Sequence, residues 1–442
     1  MVYPDNFESK IGFDVVRNKL YQFCSSGASQ RLAEEMSFSN SFELIDKELN
    51  LVKEFKDLFE RSLDFPSNHF YDPQDWFYRA AIEGNFLEAN ELRQFSLALE
   101  TLYNSLLFFK KNQELFPNLY ELSQPIQHQD FIRKAINEKI DDASRVKDNA
   151  TQELSRIRKK LRDEQHTVRK MAEQIFRTAV SEKWVPEGSL PTIRDGRVVI
   201  PVLAEHKRKL KGFVLDESAT GQTVFMEPTE MLDANNAIRE LEHAERREVI
   251  RILKELTNTI RLALPTLHVA FDFLARVDFI RAKAKIALEL HAVKPVFVDK
   301  PALQWQAAKH PVLVYTFKGK KEVVPLNIKL EEDASMLLVS GPNAGGKSVC
   351  LKTVGLLQYM LQNGMLIPLA DYSIAGIFKN ILLDIGDQQS IENDLSTYSS
   401  HLQNMKLFLQ QANHQSLILM DELGSGTDPN FGGAIAEVIL QE

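Results

Sequence analysis

The chain has 442 residues, a formal net charge of −8 and 44% hydrophobic residues, enough apolar material for about two to four packed domains. Its only two cysteines, Cys24 and Cys350, are far apart and argue against a disulfide framework, and no stretch approaches the roughly 20 apolar residues that cross a bilayer. Composition therefore excludes a disulfide-stapled secreted domain and a membrane-spanning protein. It predicts a cytoplasmic protein with no membrane partner, in which any nucleic acid must meet a local basic surface.

In chain order, residues 1–140 show short stretches with apolar residues at helical spacing, which predicts a helical core. Residues 141–185 are charged and contain neither proline nor glycine until the end of the stretch, which predicts one helix of about 40 residues. A helix of that length does not fit inside a compact core, so we expect an ascending arm.

The hydrophobic period then changes. Residues 186–228 alternate apolar and polar positions and carry turn signals at Asp195-Gly196 and Gly221, which predicts a small β-rich unit. A helical pattern resumes at Thr229, and residues 229–294 are expected to return along the arm into the core. Two long helices that flank a β unit predict an antiparallel arm with a clamp at its tip.

Residues 295–442 contain short apolar runs and the octapeptide GPNAGGKS, which predict an α/β domain. The octapeptide fits G-x-x-x-x-G-K-[ST] and lies between the strand-like run SMLLVS and a helix-like run. Glycines let backbone N–H groups turn toward a phosphate, and the helix N-terminus adds positive potential. The alternative is a glycine-rich turn without a ligand. The predicted nucleotide-binding residues are Gly341, Pro342, Asn343, Ala344, Gly345, Gly346, Lys347 and Ser348.

Within this site, Lys347 is expected to reach the β- and γ-phosphates and the Ser348 hydroxyl to ligate Mg²⁺. A second motif, SLILMDELGSGTD, is an apolar run that ends in two acids. Asp421 is the predicted metal-side residue and Glu422 the predicted base that activates water. The two motifs together predict ATP and Mg²⁺ as cofactors.

A polar segment, DIGDQQSIENDLSTYSSHL, lies between these motifs. Gln388 and Gln389 are candidates to sense Mg²⁺ and the attacking water. Ser396 and Thr397 are expected to open a helix, either as an anion site or merely as an N-cap. The residues alone leave both interpretations open.

Basic residues concentrate in the predicted arm and clamp. Residues 144–183 carry eleven Lys or Arg against six Asp or Glu, with the densest cluster at 156–162. The alternative is a solvated helix surface. The predicted nucleic-acid contacts in the clamp are Arg194, Arg197, Lys207, Arg208, Lys209 and Lys211. The sequence shows no aromatic residues interleaved with the basic ones for base stacking, so recognition by backbone and shape is expected.

Three motifs in order, GPNAGGKS, DIGDQQSIENDLSTYSSHL and LILMDELGSGTDP, resemble the ATPase domain of MutS proteins. IGFDVVRNKL near the start and the phrase from VPEGSLPTIRDG to TVFMEP resemble the second MutS subfamily, which lacks the mismatch-reading and connector domains. The likeness covers essentially the whole chain.

The resemblance implies a multidomain α and α/β protein: a helical core, a long antiparallel helical arm with a small β-rich clamp, and an ABC-type P-loop ATPase domain. It implies a homodimer joined through that domain, in which the octapeptide and the acidic pair act in cis and Ser396 completes the partner's site. The segment 424–429 resembles the loop that crosses the dimer seam. AKHPVL, with His310, resembles the segment beside the adenine, although a histidine that simply ends a strand is the alternative.

The implied function is an ATP-dependent clamp that hydrolyses ATP and binds branched DNA such as recombination intermediates, or structured RNA and stalled ribosomes, rather than mismatches. The alternative is a nucleotide-gated dimeric scaffold that binds ATP without turnover. Family members continue past IAEVILQE with further strands and commonly a small nuclease-like domain, so we expect a C-terminally truncated chain with an incomplete ATPase domain. Hydrolysis and dimerisation by this piece, and any nuclease domain in the whole protein, stay open.

Overall fold

The computed structural model describes residues 1–331, 334–341, 345–385, 394–424 and 427–442, with the backbone alone at 394–400 and 429. The protein is a mixed α/β molecule with many helices and three small sheets among these residues. It divides into two compact units. Unit 1 contains Met1–Pro73, Thr101–His128 and Thr266–Glu442, and unit 2 contains Gln74–Glu100 and Gln129–Pro265. The boundaries expected from the sequence stay a prediction.

The helices of unit 1 range from 5 to 26 residues in length. They begin with α1 Phe7–Ile11, α2 Phe13–Phe23, α3 Gly27–Glu35, α4 Phe42–Glu60 and α7 Pro117–Ser123. The later ones are α11 Leu264–Glu289, α12 Pro311–Phe317, α13 Lys347–Gln362, α14 Asp394–Gln411 and α15 Pro429–Gln441. Helix α6 Ala89–Lys111 has residues in both units.

Helix α11 is buried along most of its second half, and the buried positions include the charged residues Asp278, Arg281 and Lys283. Asp278 is fully buried and accepts hydrogen bonds from Ser29 Oγ, from the backbone N–H of Ser25 and from Arg281. A buried carboxylate is stable only when its oxygens are paired in this way. The second half of the helix therefore lies in the core of unit 1.

Unit 1 contains two sheets. One has the order β1-β10-β11 and is parallel, built from β1 Val2–Tyr3, β10 Asn380–Asp384 and β11 Ser416–Met420. The other has the order β6-β9-β7-β8, built from β6 Val296–Val298, β7 Leu303–Ala308, β8 Leu326–Leu330 and β9 Ile374–Gly376. The first residues of the chain thus supply an edge strand, with Val2 opposite Ile381.

The prediction of a strand just before the octapeptide is wrong. Residues 335–340 form no strand, and Met336, Leu337, Leu338 and Val339 are all exposed. Within the described residues no neighbouring strand pairs with this run. A strand needs a partner for its backbone N–H and C=O groups, so the apolar pattern of this run is not enough to make it a strand.

The long helix predicted over residues 141–185 is shorter than expected. In unit 2, α9 spans Gln152–Ser181, which is 30 residues or about 45 Å. Thr151 caps its N-terminus by accepting a hydrogen bond from Leu154 N–H. Residues before the cap form a turn instead, in which Asp141 Oδ1 accepts from Arg145 N–H. Local capping by short polar side chains ended the helix where composition alone predicted that it would continue.

Helix α10, Leu232–Leu262, runs antiparallel to α9. Thr151 Oγ1 donates to Glu248, and Arg158 forms an ion pair with Glu245, so residue numbers fall along α10 as they rise along α9. A shared apolar core of Leu161, Val168, Ala172, Met231 and Ile238 joins the two helices. Unit 2 also contains α5 Gln74–Ala81 and α8 Asp130–Lys139.

Between α9 and α10 the chain forms an antiparallel sheet, the tip sheet, with the order β2-β3-β5-β4. Its strands are β2 Thr192–Arg194, β3 Arg197–Leu203, β4 Gly212–Glu217 and β5 Thr223–Pro228. Asp195 and Gly196, with φ of 48° and 73°, form the two-residue turn between β2 and β3, as the sequence predicted. Ile200, Val202, Val224 and Met226 form one buried face against Ile175 and Phe176 of α9.

No helix in the described ranges is long and apolar enough to cross a membrane.

Candidate nucleotide and nucleic-acid sites

The octapeptide leads into α13. Gly346 is the residue before the helix and has φ of +86°, and Gly341, at the other end of the loop, has φ of +152°. An added Cβ would meet no atom within 4 Å at either position, so glycine is required there by backbone conformation and not by space. The first intrahelical hydrogen bond runs from Cys350 N–H to Gly346 O, so the N–H groups before it point out of the helix end.

Lys347 is the first residue of α13, and its side chain folds back over the loop. Its Nζ donates to the carbonyl oxygen of Gly341 at 2.5 Å. Ser348 follows and is exposed, as are Gly345 and Gly346. The ammonium, the hydroxyl and the helix N-terminus are therefore gathered at one open loop. Pro342, Asn343 and Ala344 lie outside the described residues.

The acidic pair follows strand β11. The backbone N–H of Asp421 donates to Asp384 O at the end of β10, at 2.8 Å, so the pair begins where the parallel β10–β11 pairing ends. Glu422 is exposed and has φ of +52°, a left-handed conformation that is uncommon for a residue with a side chain and costs about 1–2 kcal/mol. Its N–H donates to Asp421 Oδ1 at 3.1 Å. Such strain is typical of functional positions.

Helix α13 and strand β11 pack against each other, which joins the elements that carry the two motifs. Gly355 of α13 lies so near the strand that an added Cβ would be 3.1 Å from Leu419 Cδ1 and 3.2 Å from Ile11 Cγ2. The helix that follows the octapeptide thus packs directly on the strand that precedes the acidic pair, and Ile11 of α1 also contacts the helix at Gly355.

A buried polar network lies at the same edge of the sheet as the acidic pair. Asp384, at 3% exposure, has Oδ2 2.6 Å from His401 Nδ1 and accepts a 2.8 Å hydrogen bond on Oδ1 from Asn404 Nδ2. Asn404 Oδ1 in turn accepts from the hydroxyl of Tyr3 at 2.5 Å. The network ties β1, β10 and α14 together next to Asp421.

The charge of Asp384 acts on His401. The hydrogen bond to Asp384 raises the pKa of His401 above its usual 6.5, burial opposes this, and the charges of Asp384 and Glu422 raise the pKa further. Lys10, whose Nζ donates to Ile385 O at 2.9 Å, acts in the opposite direction. The imidazolium form is therefore favoured next to the acidic edge.

His310 lies two residues beyond β7 and immediately before α12. It is 8% exposed, and its Nδ1 has no hydrogen-bond partner within the described ranges. Burial, followed by the nearby charge of Lys352 on α13, lowers the pKa of His310 to about 4, so the ring is neutral at pH 7. An unpaired buried nitrogen of this kind accepts a hydrogen bond from a ligand in the tautomer in which it carries no proton.

Ser396 lies within α14, which is described from Asp394 to Gln411, so it is a helical residue and not the N-cap. The capping interpretation is therefore wrong. The side chains of Ser396 and Thr397 lie outside the described part of the structure. Gln388 and Gln389 also lie outside it, as do two residues of the segment 424–429.

The six predicted nucleic-acid residues fall into two groups. Four of them, Lys207, Arg208, Lys209 and Lys211, are exposed in the turn between β3 and β4. Among the ion pairs of the described ranges none involves these four. We define them as the basic loop. Its backbone is fixed by hydrogen bonds such as Lys209 N–H to His206 O at 2.8 Å and Thr229 N–H to Lys211 O at 3.1 Å.

The two arginines are engaged within the tip sheet. Arg197 donates to both oxygens of Glu227, at 2.6 and 2.8 Å, and Glu227 is only 1% exposed. Asn235 Nδ2 also donates to Glu227, at 2.9 Å. Arg194 lies 3.2 Å from Asp216 and 4.4 Å from the centre of the Phe225 ring. Arg197 thus neutralises a buried carboxylate, whereas the basic loop carries positive charges that form no ion pair within the described residues.

Comparison with known proteins gives two further findings. The MutS domain V family matches residues 337–442. Proteins named Endonuclease MutS2 align over most of the chain: that of Geobacillus sp. (strain WCH70) is 36% identical over 440 residues, covering 97% of this chain and 54% of the relative. That of Pelotomaculum thermopropionicum is 38% identical over 364 residues, covering 82% of this chain and 46% of the relative.

This chain is a MutS-like protein of the MutS2 type. It spans about half the length of the curated relatives that it matches. In this MutS-like chain, the domain V match includes the octapeptide, the acidic pair, Asp384, His401 and Asn404, whereas the relatives also align with the arm and the tip sheet. The resemblance expected from the sequence is confirmed.

Sequence reasoning missed the network of Asp384, His401 and Asn404 in the MutS-like chain. A signal was present: Asp384 follows the apolar residues of NILLD, as Asp421 follows SLILM. Two parallel strands that each end in an acid predict acids at one sheet edge. Tyr3 gave no such signal, because its strand has only two residues.

Proposed function

We propose that this chain is the nucleotide-binding and nucleic-acid-binding part of an ATP-dependent clamp of the MutS type. ATP binds at the octapeptide and regulates the affinity of the tip sheet for structured nucleic acid. The observation that carries the proposal is the packing of α13 against β11. The glycine loop leads into α13, and Asp421 directly follows β11.

The residues fit a nucleotide with Mg²⁺. The glycine conformations at Gly341 and Gly346 and the N-terminus of α13 suit a phosphate, and Lys347 already turns its ammonium over the loop. Ser348 and Asp421 would hold Mg²⁺, which neutralises charge on the phosphates when bound. The unpaired Nδ1 of His310 suits the exocyclic amine of adenine.

In this proposal, Glu422 is the base that accepts a proton from the attacking water. Its carboxylate is exposed after the end of β11, and its left-handed backbone is held by the N–H bond to Asp421 Oδ1. Gln389 orients the same water. The Asp384–His401 pair ties α14 to β10, the strand that pairs with β11 before the acids.

We further propose that Ser396 completes the site of a second copy, so that ATP binding favours a homodimer. Ser396 lies two residues after Asp394, where the described part of α14 begins, and a serine hydroxyl is able to donate a hydrogen bond to a phosphate oxygen. The basic loop supplies contacts to a phosphate backbone, on branched DNA or on structured RNA such as that of a stalled ribosome.

The ATP half is tested with the 442-residue chain. Fluorescent ATP binding and phosphate release are measured for the wild type and for Lys347→Ala, Glu422→Gln and Lys379→Ala. Lys379 is an exposed lysine immediately before β10. We expect Lys347→Ala to abolish binding, Glu422→Gln to bind and not hydrolyse, and Lys379→Ala to behave as wild type. Binding without turnover by the wild type would favour the nucleotide-gated scaffold, and unchanged turnover in Glu422→Gln would refute the assigned base.

The nucleic-acid half is tested by salt titration against a four-way DNA junction, a structured RNA and ribosomes. Changing Lys207, Arg208, Lys209 and Lys211 to Glu should lower affinity and reduce the salt slope by about 4, since each phosphate contact contributes about 0.9. An unchanged slope would show that the basic loop makes no phosphate contact. The three targets separate DNA from ribosome.

A further inference from the structure

An aromatic ring is exposed beside the basic loop. Phe213 is 56% exposed and is the second residue of β4, the edge strand of the tip sheet. It lies opposite Glu227 on β5, so it belongs to the sheet face opposite the apolar core of Val224 and Met226. A phenylalanine of this exposure on an ordered strand gains little from burial in the fold, and it is its place beside the basic loop that suggests a ligand.

The neighbouring polar groups on that face already have partners. Arg197 is paired with buried Glu227, and Arg194 covers the ring of Phe225 and pairs with Asp216. Within the described part of the chain, neither a ring nor a cation stacks on Phe213. One phenylalanine of this face is therefore covered by the protein itself and the other is left open.

The open ring adjoins concentrated positive charge. Lys211 and Phe213 are two residues apart in extended chain, which separates them by about 7 Å along the strand direction. Residues 205–211 contain four Lys or Arg and a single acid, Glu205, which lies 3.6 Å from His206. The surface thus offers a flat apolar ring and several free cations within a few residues. That combination matches a nucleotide, which presents a flat base and a phosphate on one flexible unit.

A plain duplex does not use such a ring, because its base faces are already stacked on each other. Unpaired nucleotides at a junction, loop or single-stranded end expose a face. We infer that Phe213 is a stacking platform for an unpaired base, with the basic loop on the adjoining phosphates, so that the tip sheet selects nucleic acid containing unpaired nucleotides. This rests on the proposed nucleic-acid function and adds the substrate class.

The test uses the 442-residue chain and three oligonucleotide ligands with the same number of phosphates: a duplex, the same duplex with an unpaired internal loop, and a single strand. Each is made as DNA and as RNA, with 2-aminopurine at one position. The variants are Phe213→Ala and Phe131→Ala. Phe131 is the matched control because it is also exposed, at 55%, but lies on α8 away from the basic loop.

We expect Phe213→Ala to weaken binding of the looped and single-stranded ligands about tenfold, the effect of losing one base stack. Duplex affinity and the salt slope should stay unchanged, because the phosphate contacts remain. Wild-type protein should alter 2-aminopurine fluorescence on unpaired positions, and Phe213→Trp should retain tight binding. Phe131→Ala should match wild type throughout, and hydrogen exchange of β4 and β5 should show that the tip sheet of Phe213→Ala is intact.

Equal affinity of Phe213→Ala and wild type for the looped ligand would overturn the inference, as would an equal loss on the duplex. Displacement of nucleic acid by polyglutamate at matched charge, with the same dependence on Phe213, would point to an acidic peptide instead and would also overturn it. If wild type binds none of the ligands with a salt-dependent affinity, the proposed nucleic-acid function fails first. The comparison of duplex with looped ligand separates the two failures.

Discussion

Replacing Arg197 should destabilise the tip sheet far more than replacing its neighbour Arg194. In Arg197→Met, Glu227 loses two charged hydrogen bonds of 2.6 and 2.8 Å and keeps only the 2.9 Å bond from Asn235 Nδ2. Glu227 is 1% exposed, so water cannot replace the arginine. Removing one partner of a buried pair costs about 3–5 kcal/mol, and we expect about 3 kcal/mol because Asn235 remains.

Arg194→Met is the control. Its ion pair with Asp216 spans 3.2 Å, but the two side chains are 43% and 49% exposed, and such pairs contribute about 0–1 kcal/mol. The double variant Arg197→Met/Glu227→Gln removes the uncompensated charge and keeps an acceptor for Asn235. It should recover most of the loss and come within about 1–2 kcal/mol of wild type.

The assay is urea unfolding together with hydrogen exchange of β3 and β5, which reports the tip sheet separately from the rest of the chain. Faster exchange in both strands of Arg197→Met, reversed in the double variant, is the expected result. If Arg197→Met stays within 1 kcal/mol of wild type, or the double variant is as unstable as the single one, the buried pair does not hold the sheet. The salt slope of nucleic-acid binding should not change in either arginine variant at a temperature where the sheet is folded.

Three further predictions concern other parts of the chain. Asp384 raises the folded-state pKa of His401 above 6.5, so the Asp384–His401 pair stabilises the fold fully below pH 6.5 and loses this effect as pH rises through the raised pKa. Asp384→Asn should therefore cost more stability at pH 6 than at pH 9. Equal losses at the two pH values in urea unfolding would contradict this. Gly212→Ala should lower the midpoint of thermal unfolding of the tip sheet and cost about 2 kcal/mol, because the new Cβ would lie 2.3 Å from a backbone oxygen of β5. Gly433→Ala is the control and should not lower the midpoint, because its Cβ would meet no atom within 4 Å. Asp278→Leu should cost about 3–5 kcal/mol in urea unfolding, since it leaves buried Arg281 unpaired, and a loss below 1 kcal/mol would refute that role.

Sequence and structure agree where the decisive interactions are local. The turn at Asp195-Gly196 was predictable because two left-handed residues between alternating strands suit Asp and Gly, and the helix after the octapeptide because apolar residues recur at helical spacing. The left-handed glycines at both ends of the loop follow from the same local chemistry. The helix expected from residue 141 failed for a local reason as well, since Thr151 caps α9.

What the tertiary structure alone decided depends on residues far apart in sequence. Arg197 looked like a surface cation, and only the pairing of β3 with β5 brings it to Glu227, thirty residues later. Tyr3 reaches Asn404 because the first strand adds to a sheet formed near the other end of the chain. The sequence determined which residues are able to bind phosphate. Long-range packing determined which charged side chains form ion pairs inside the fold and which stay exposed to solvent, because burial removes water as the competing partner.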